Sequence, residues 1–126
     1  MYKVVSLTGE DGNSIDVPFL ANAATPFRFK AIFNKDLLIL FQTCSIDGVY
    51  DIDFVSQLGF TMAMQAKAKN EGLDMATVMS GDMIEWLEQF DGFEMLNKAK
   101  DIIEVYLGNS ETSSKEKKRV RKQNAN

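Results

Sequence analysis

Residues 82–107 read DMIEWLEQFDGFEMLNKAKDIIEVYL, and this stretch carries the strongest periodic pattern in the chain. It predicts two helices meeting at Asp91-Gly92. Asp82 is followed three residues later by Glu85, and Asp91 by Glu94. That offset is the capping box, in which two side chains satisfy the orphan N–H groups of a helix start. Glu85, Glu88 and Glu94 also set negative charge near the positive ends of the helix dipoles. Met83, Leu87 and Phe90 share one face of the first helix, with Trp86 alongside. Leu96, Ala99, Ile103 and Tyr106 or Leu107 follow the 3, 4, 3 spacing of an amphipathic stripe in the second. Neither helix is long enough to be stable alone in water, so each must bury its stripe against other parts of the chain.

Working outward, the partner surfaces come from upstream. Tyr2 to Leu7 is β-branched and apolar, and Ile15, Val17 and Phe19 alternate with Ser14, Asp16 and Pro18. Gly9 to Asn13 between them is turn chemistry, so a hairpin over about residues 1–20 is expected, with Pro18 on an edge. Asp11, Asn13 and Asp16 suggest a calcium loop only briefly. The glycine at the sixth position and the bidentate Glu at the twelfth are both missing. Thr25-Pro26 reads as an N-cap and first helical residue. The helix they open carries Phe27, Ile32 and Phe33, with Phe29 on a neighbouring face, and ends at Asn34. DLLILF (36–41) is a dense apolar run expected in the central core, with Cys44 a small buried hydrophobe at its end.

Ser45 to Val49 reads as a loop. Asp51 caps a helix through Phe54, Val55, Leu58, Gly59, Met62 and Ala66, which breaks between Lys67 and Gly72. Gly59 in mid-helix points to close packing of another helix. Leu73 to Met79 adds one short helical turn. From Asn109 the chain is polar and charged, with Val120 its single aliphatic, and is expected to be disordered. The fold class that follows is mainly α with α+β character. A helical domain over 1–109, with an N-terminal β-hairpin and a bundle of about five short helices, precedes a disordered basic tail over 110–126.

A chain of 126 residues makes one domain and buries enough surface for a core without metal or disulfides. No apolar run approaches the roughly 20 residues of a membrane span. MYKVVSLTGEDG lacks the apolar region of a signal peptide, and a lone cysteine fits a reducing compartment. Charge is unevenly placed. The tail from residue 111 holds six basic side chains and two acidic ones, whereas the preceding 110 residues hold eight and sixteen. A body at −8 does not suit nucleic acid, and only the tail is equipped to bind phosphate.

Little here resembles catalytic chemistry. Histidine is absent, which leaves Cys44 without the usual base, and no glycine-rich phosphate loop or cysteine cluster occurs. Acidic pairs such as Asp51/Asp53 and Glu85/Glu88 sit where helix starts favour negative charge. The expectation is a non-enzyme that works by contact and needs no cofactor or metal. The methionines are more informative. Met62, Met64, Met75, Met79, Met83 and Met95 fall among Phe60, Trp86, Phe90 and Phe93. Unbranched thioethers conform to varied apolar partners. Phe60, Met64, Met79, Met83, Trp86 and Phe90 are the candidate partner-binding residues. Of these, Phe60, Met64 and Trp86 lie off the best-defined stripes, where they could build an exposed groove. Such a surface also predicts weak multivalent binding and self-association into a homo-oligomer.

Four stretches together resemble the tail assembly chaperones of long-tailed, siphovirus-type bacteriophages, especially those infecting Gram-positive bacteria. They are ATPFRFKAIFNKDLL (24–38), DFVSQLGFTMAMQAKA (53–68), EWLEQFDGFEMLNKAKDIIEVYL (85–107) and NSETSSKEKKRVRK (109–122), spanning most of the chain. Relatives often have glycine where Asn34 stands, and Asn adopts the same backbone conformation. The resemblance implies a late protein of the host cytoplasm, absent from the mature virion. It would coat the tape measure protein until tail tube subunits replace it. It also implies a longer product made by ribosomal frameshifting, with Lys117-Lys118 at the slippery site and the tail linking to an extension that recruits tube protein. A rival reading is a phage or prophage regulator that uses the basic tail as an arm on nucleic acid. DNA binding lost with the tail and steeply weakened by salt would mark that rival.

Overall fold

Gly9 to Asn13 reverse the chain between β1 (Tyr2–Thr8) and β2 (Ser14–Leu20), as their composition predicts. The Asp11 carboxylate accepts the Asn13 backbone N–H at 2.9 Å and its side-chain amide at 3.0 Å. Gly12 takes φ 86°, which a side chain would strain. The computed structural model describes residues 1–43, 45–46 and 49–108. The expectations for Cys44, for the middle of the 45–49 loop and for the tail fall outside these residues.

The two strands are antiparallel, with Val5 opposite Val17 and Leu7 opposite Ile15. Val5, Leu7, Val17 and Phe19 face the core, while Tyr2, Val4 and Ser6 face outward. Backbone bonds from Gly9 N–H to the Asn13 carbonyl (2.7 Å) and from Ala21 N–H to the Met1 carbonyl (2.8 Å) place the odd positions of β1 in the ladder. The alternation turns the backbone groups of Val4 and Ser6 toward the open edge of a two-stranded sheet. β2 offers the other edge, and Pro18 stands on it as expected.

Everything else is arranged around α3 (Ile52–Glu71). Asp51 caps it by accepting the Asp53 N–H at 2.8 Å, and Gly72 closes it at φ 64°. The helix therefore runs past Lys67, where a break was expected. The hairpin, α1 (Thr25–Phe33), α4 (Met75–Met79), α5 (Met83–Leu87) and α6 (Glu94–Asn97) all pack on it. It is consequently buried round most of its circumference, from Phe54, Leu58 and Met62 to Phe60, Thr61 and Gln65. Gln65 ties three elements together. Its amide donates to the Leu20 carbonyl at 2.7 Å and to Thr25 Oγ1 at 2.9 Å, and its carbonyl accepts from Arg28 at 2.9 Å.

That network explains a first correction. Thr25 does not cap α1; Ala24 holds the cap position without a side-chain bond. The Thr25 hydroxyl is turned to Gln65 and to the Asn22 N–H instead. A second correction concerns the inward face of α1, which is carried by Phe29 while Phe27 stands 77% exposed. Asn34 ends the helix at φ 55°, the left-handed conformation expected of it.

The third correction is α2 (Leu37–Thr43). Of the DLLILF run only Leu37 is buried, while Leu38 is 69% and Ile39 55% exposed. A helix of two turns lying on the surface can sink one edge only, whatever its composition. Next, β3 (Ser45–Ile46) and β4 (Val49–Tyr50) form a miniature hairpin where a loop was expected.

The closing segment forms three helices rather than two. Asp82 caps α5 by accepting the Ile84 N–H at 2.9 Å. Phe93 holds the cap position of α6 and has no polar side chain to cap it. Asp91 accepts the Phe93 N–H at 3.2 Å, but Glu94 does not reach back to Asp91, being buried and accepting the Thr8 N–H of the hairpin. The chain turns at Lys98 and resumes as α7 (99–108). That interruption shifts the phase. Leu96 therefore faces solvent while Ile103 is buried and Ala99, Tyr106 and Leu107 pack against the core as expected, with Met95, Ile102 and Val105 joining them inside. The architecture is an N-terminal antiparallel hairpin followed, among the described residues, by a bundle of seven helices.

Candidate functional site

Trp86 sits on α5 with its indole braced from below. Its ring meets Phe60 edge-on at 5.9 Å between centroids and Phe90 at 5.1 Å. Gly59 clears the space beside it: a methyl there would lie 3.4 Å from both the indole and Ile102. With the buried side of the ring fixed, its half-exposed side lines a groove. β2 and α3 form one limb, through Ile15, Pro18, Ala63 and Met64. The other limb runs past Phe60 and Met64 to Gly81, Asp82 and Glu85.

Of the six candidate partner-binding residues, Phe60, Met64 and Trp86 come together here. Phe60 is 1% exposed and Phe90 6%, so both support the indole and present almost no surface of their own. Met79 and Met83 are half-buried on α4 and α5, outside the lining of this groove. Phe60 is the clearest departure from the sequence reading. It lies off the main stripe of α3, yet α1 covers that side too, through the Phe33 ring at 6.4 Å.

A second groove was not anticipated. It opens between α1 and α2, walled by Pro26, Phe27, Leu38 and Phe41, with Tyr106 of α7 at its base. The Phe41 ring stacks on Tyr106 at 5.4 Å and meets buried Phe54 edge-on at 4.9 Å. Partial burial raises the pKa of the Tyr106 phenol, so it stays neutral through the physiological range. Phe27 and Leu38 stand uncovered in its walls, and uncovered apolar area of this kind marks contact surfaces. The one available signal was the excess of apolar residues in LLILF. Five in a row are more than one edge of a short helix can bury.

Among the described residues no group of histidine, cysteine, aspartate and glutamate side chains is gathered to hold a metal, and no helix is long and apolar enough to cross a membrane. What both grooves offer is apolar contact framed by polar edges. Compared with protein-family models, with curated proteins and with solved structures, the chain matches none.

Proposed function

We propose that this protein is a tail assembly chaperone of a long-tailed bacteriophage, acting in the host cytoplasm by covering apolar stripes of the tape measure protein. The observation that carries the reading is the pair of open apolar grooves on a body whose core is otherwise closed. Phe27 and Leu38 stay uncovered at one groove, and Met64 and Trp86 line the other. A long amphipathic helix free in cytoplasm self-associates through its apolar stripe. A small protein with shallow grooves and an acidic exterior shields such a stripe one segment at a time, and many weak contacts along one client add up through avidity. No catalysis and no cofactor enter this mechanism. Tail tube subunits would displace the chaperone, recruited through an extended frameshift product.

Co-expression with a tape-measure-type client tests the reading. The soluble fraction of the client should rise several-fold when this chain is present. Equal insolubility with and without the chain overturns the proposal.

A further inference from the structure

The groove at Trp86 has a lopsided rim. Six carboxylates line the continuous surface that shares Ile15, Met64, Trp86 and Gln89: Glu10, Asp11, Asp16, Glu71, Asp82 and Glu85. Lys67 is the one cation in that lining. Among the described residues the one ion pair joins Lys100 to Glu104, so none of the six carboxylates is held in a direct ion pair with a described cation. Hydrogen bonds hold three of them in place without removing charge: Asp11 to Asn13, Asp16 to Ser6, and Asp82 to the Ile84 N–H. Negative potential is therefore focused over an apolar floor, and positive charge brought by a partner relieves it.

The form of that partner follows from the wall. The even positions of β2 face the groove side, but Pro18 has no N–H and the Leu20 carbonyl is already taken by Gln65. An added strand would find its ladder broken midway. A helix needs no such ladder and lays an apolar stripe into a groove directly.

We propose that the Trp86 groove docks a positively charged amphipathic helix, its apolar stripe on Trp86 and Met64 and its flanking Lys or Arg side chains against Asp16, Glu71 and Glu85. This rests on the client-shielding reading above and narrows it to one class of client segment. An anionic helix of equal hydrophobicity is repelled.

Trp86 is the single tryptophan of the chain, so its emission reports the groove directly. The probes are two tryptophan-free helical peptides with one apolar stripe, flanked by Lys and Arg in one and by Glu in the other. The basic peptide should shift Trp86 emission to the blue, with an affinity that falls as salt rises, and the acidic one should bind about tenfold more weakly. The triple variant Asp16→Lys, Glu71→Lys, Glu85→Lys, whose sites are all exposed, should weaken the basic peptide by about tenfold. Equal binding of both peptides, unchanged in the triple variant, overturns charge selection and leaves client shielding intact. No Trp86 response while the client is still kept soluble removes the site from this groove. Salt-dependent Trp86 emission in the full chain alone overturns the proposal as well. It would assign the groove to the chain's own basic tail, or to a second copy if the effect also depends on protein concentration. Failure to solubilise the client despite a normal Trp86 response sinks the chaperone reading and not the groove assignment.

Discussion

Gln65 has no exposed surface and spends its amide on two partners from other elements, the Leu20 carbonyl and the Thr25 hydroxyl. Truncation leaves the Leu20 carbonyl without a donor inside the core and the Thr25 hydroxyl with the Asn22 N–H alone, and an unmet buried acceptor costs more than the lost bond gained. Gln65→Ala should destabilise the fold by about 2–4 kcal/mol in a denaturant titration. Asp11 works at the opposite extreme of exposure. The Asn13 N–H groups donate to its carboxylate and hold its pKa below the ordinary 3.8. A folded pKa below the unfolded one gives stability that is complete above 3.8 and is lost as pH falls through the lower folded value. Asp11→Ala should therefore flatten the acid limb of the stability–pH curve below pH 4 or so and lower the neutral plateau without changing its slope.

At the level of elements, legibility followed the reach of the forces involved. The hairpin and the start of α3 could be read because the Gly9–Asn13 turn and the Asp51 cap are local, each settled by residues within a few positions. The left-handed stop at Asn34 was legible for the same reason. The second capping box failed at Glu94, whose partner Thr8 lies 86 positions away in sequence. The stripe of 96–107 lost Leu96 alone, which the turn at Lys98 leaves in solvent, while Ile103, Ala99, Tyr106 and Leu107 turn inward as expected. DLLILF was misjudged because apolar density says how much a segment would gain by burial, not how much cover its neighbours supply. The same logic hid Phe27 and Leu38 from the list of contact residues, while the Trp86–Met64 pairing was visible as apolar residues off the helix stripes. Gly59 was legible as a packing residue, and its neighbours now define what it permits. Alanine at 59 would meet Ile102 and Trp86 at 3.4 Å, ordinary contact distance, and should be tolerated. Gly59→Leu should cost about 1–3 kcal/mol by overpacking and, by levering the indole outward, shift Trp86 emission to the red.

For the whole molecule, stability and client contact are separable because different residues carry them. Phe27 and Leu38 are 77% and 69% exposed, so Phe27→Asp with Leu38→Asp removes little from the core. The double variant should unfold within about 0.5 kcal/mol of the parent for each substitution. It should nevertheless lose much of its ability to keep a client soluble. Parallel loss of both properties would mean that α1 and α2 are held by contacts beyond those described.

The unpaired side of β1 carries a different consequence. Val4 and Ser6 hold donors and acceptors outward along a short ribbon whose side chains there are weakly polar, and Lys3 is the single charge in the strand. Such a margin is a template on which concentrated solutions can knit molecules side by side, and a lone lysine is the guard against it. Lys3→Thr should thicken stored protein into β-rich assemblies at a lower concentration than the parent, seen as rising light scattering with a growing strand band in the infrared.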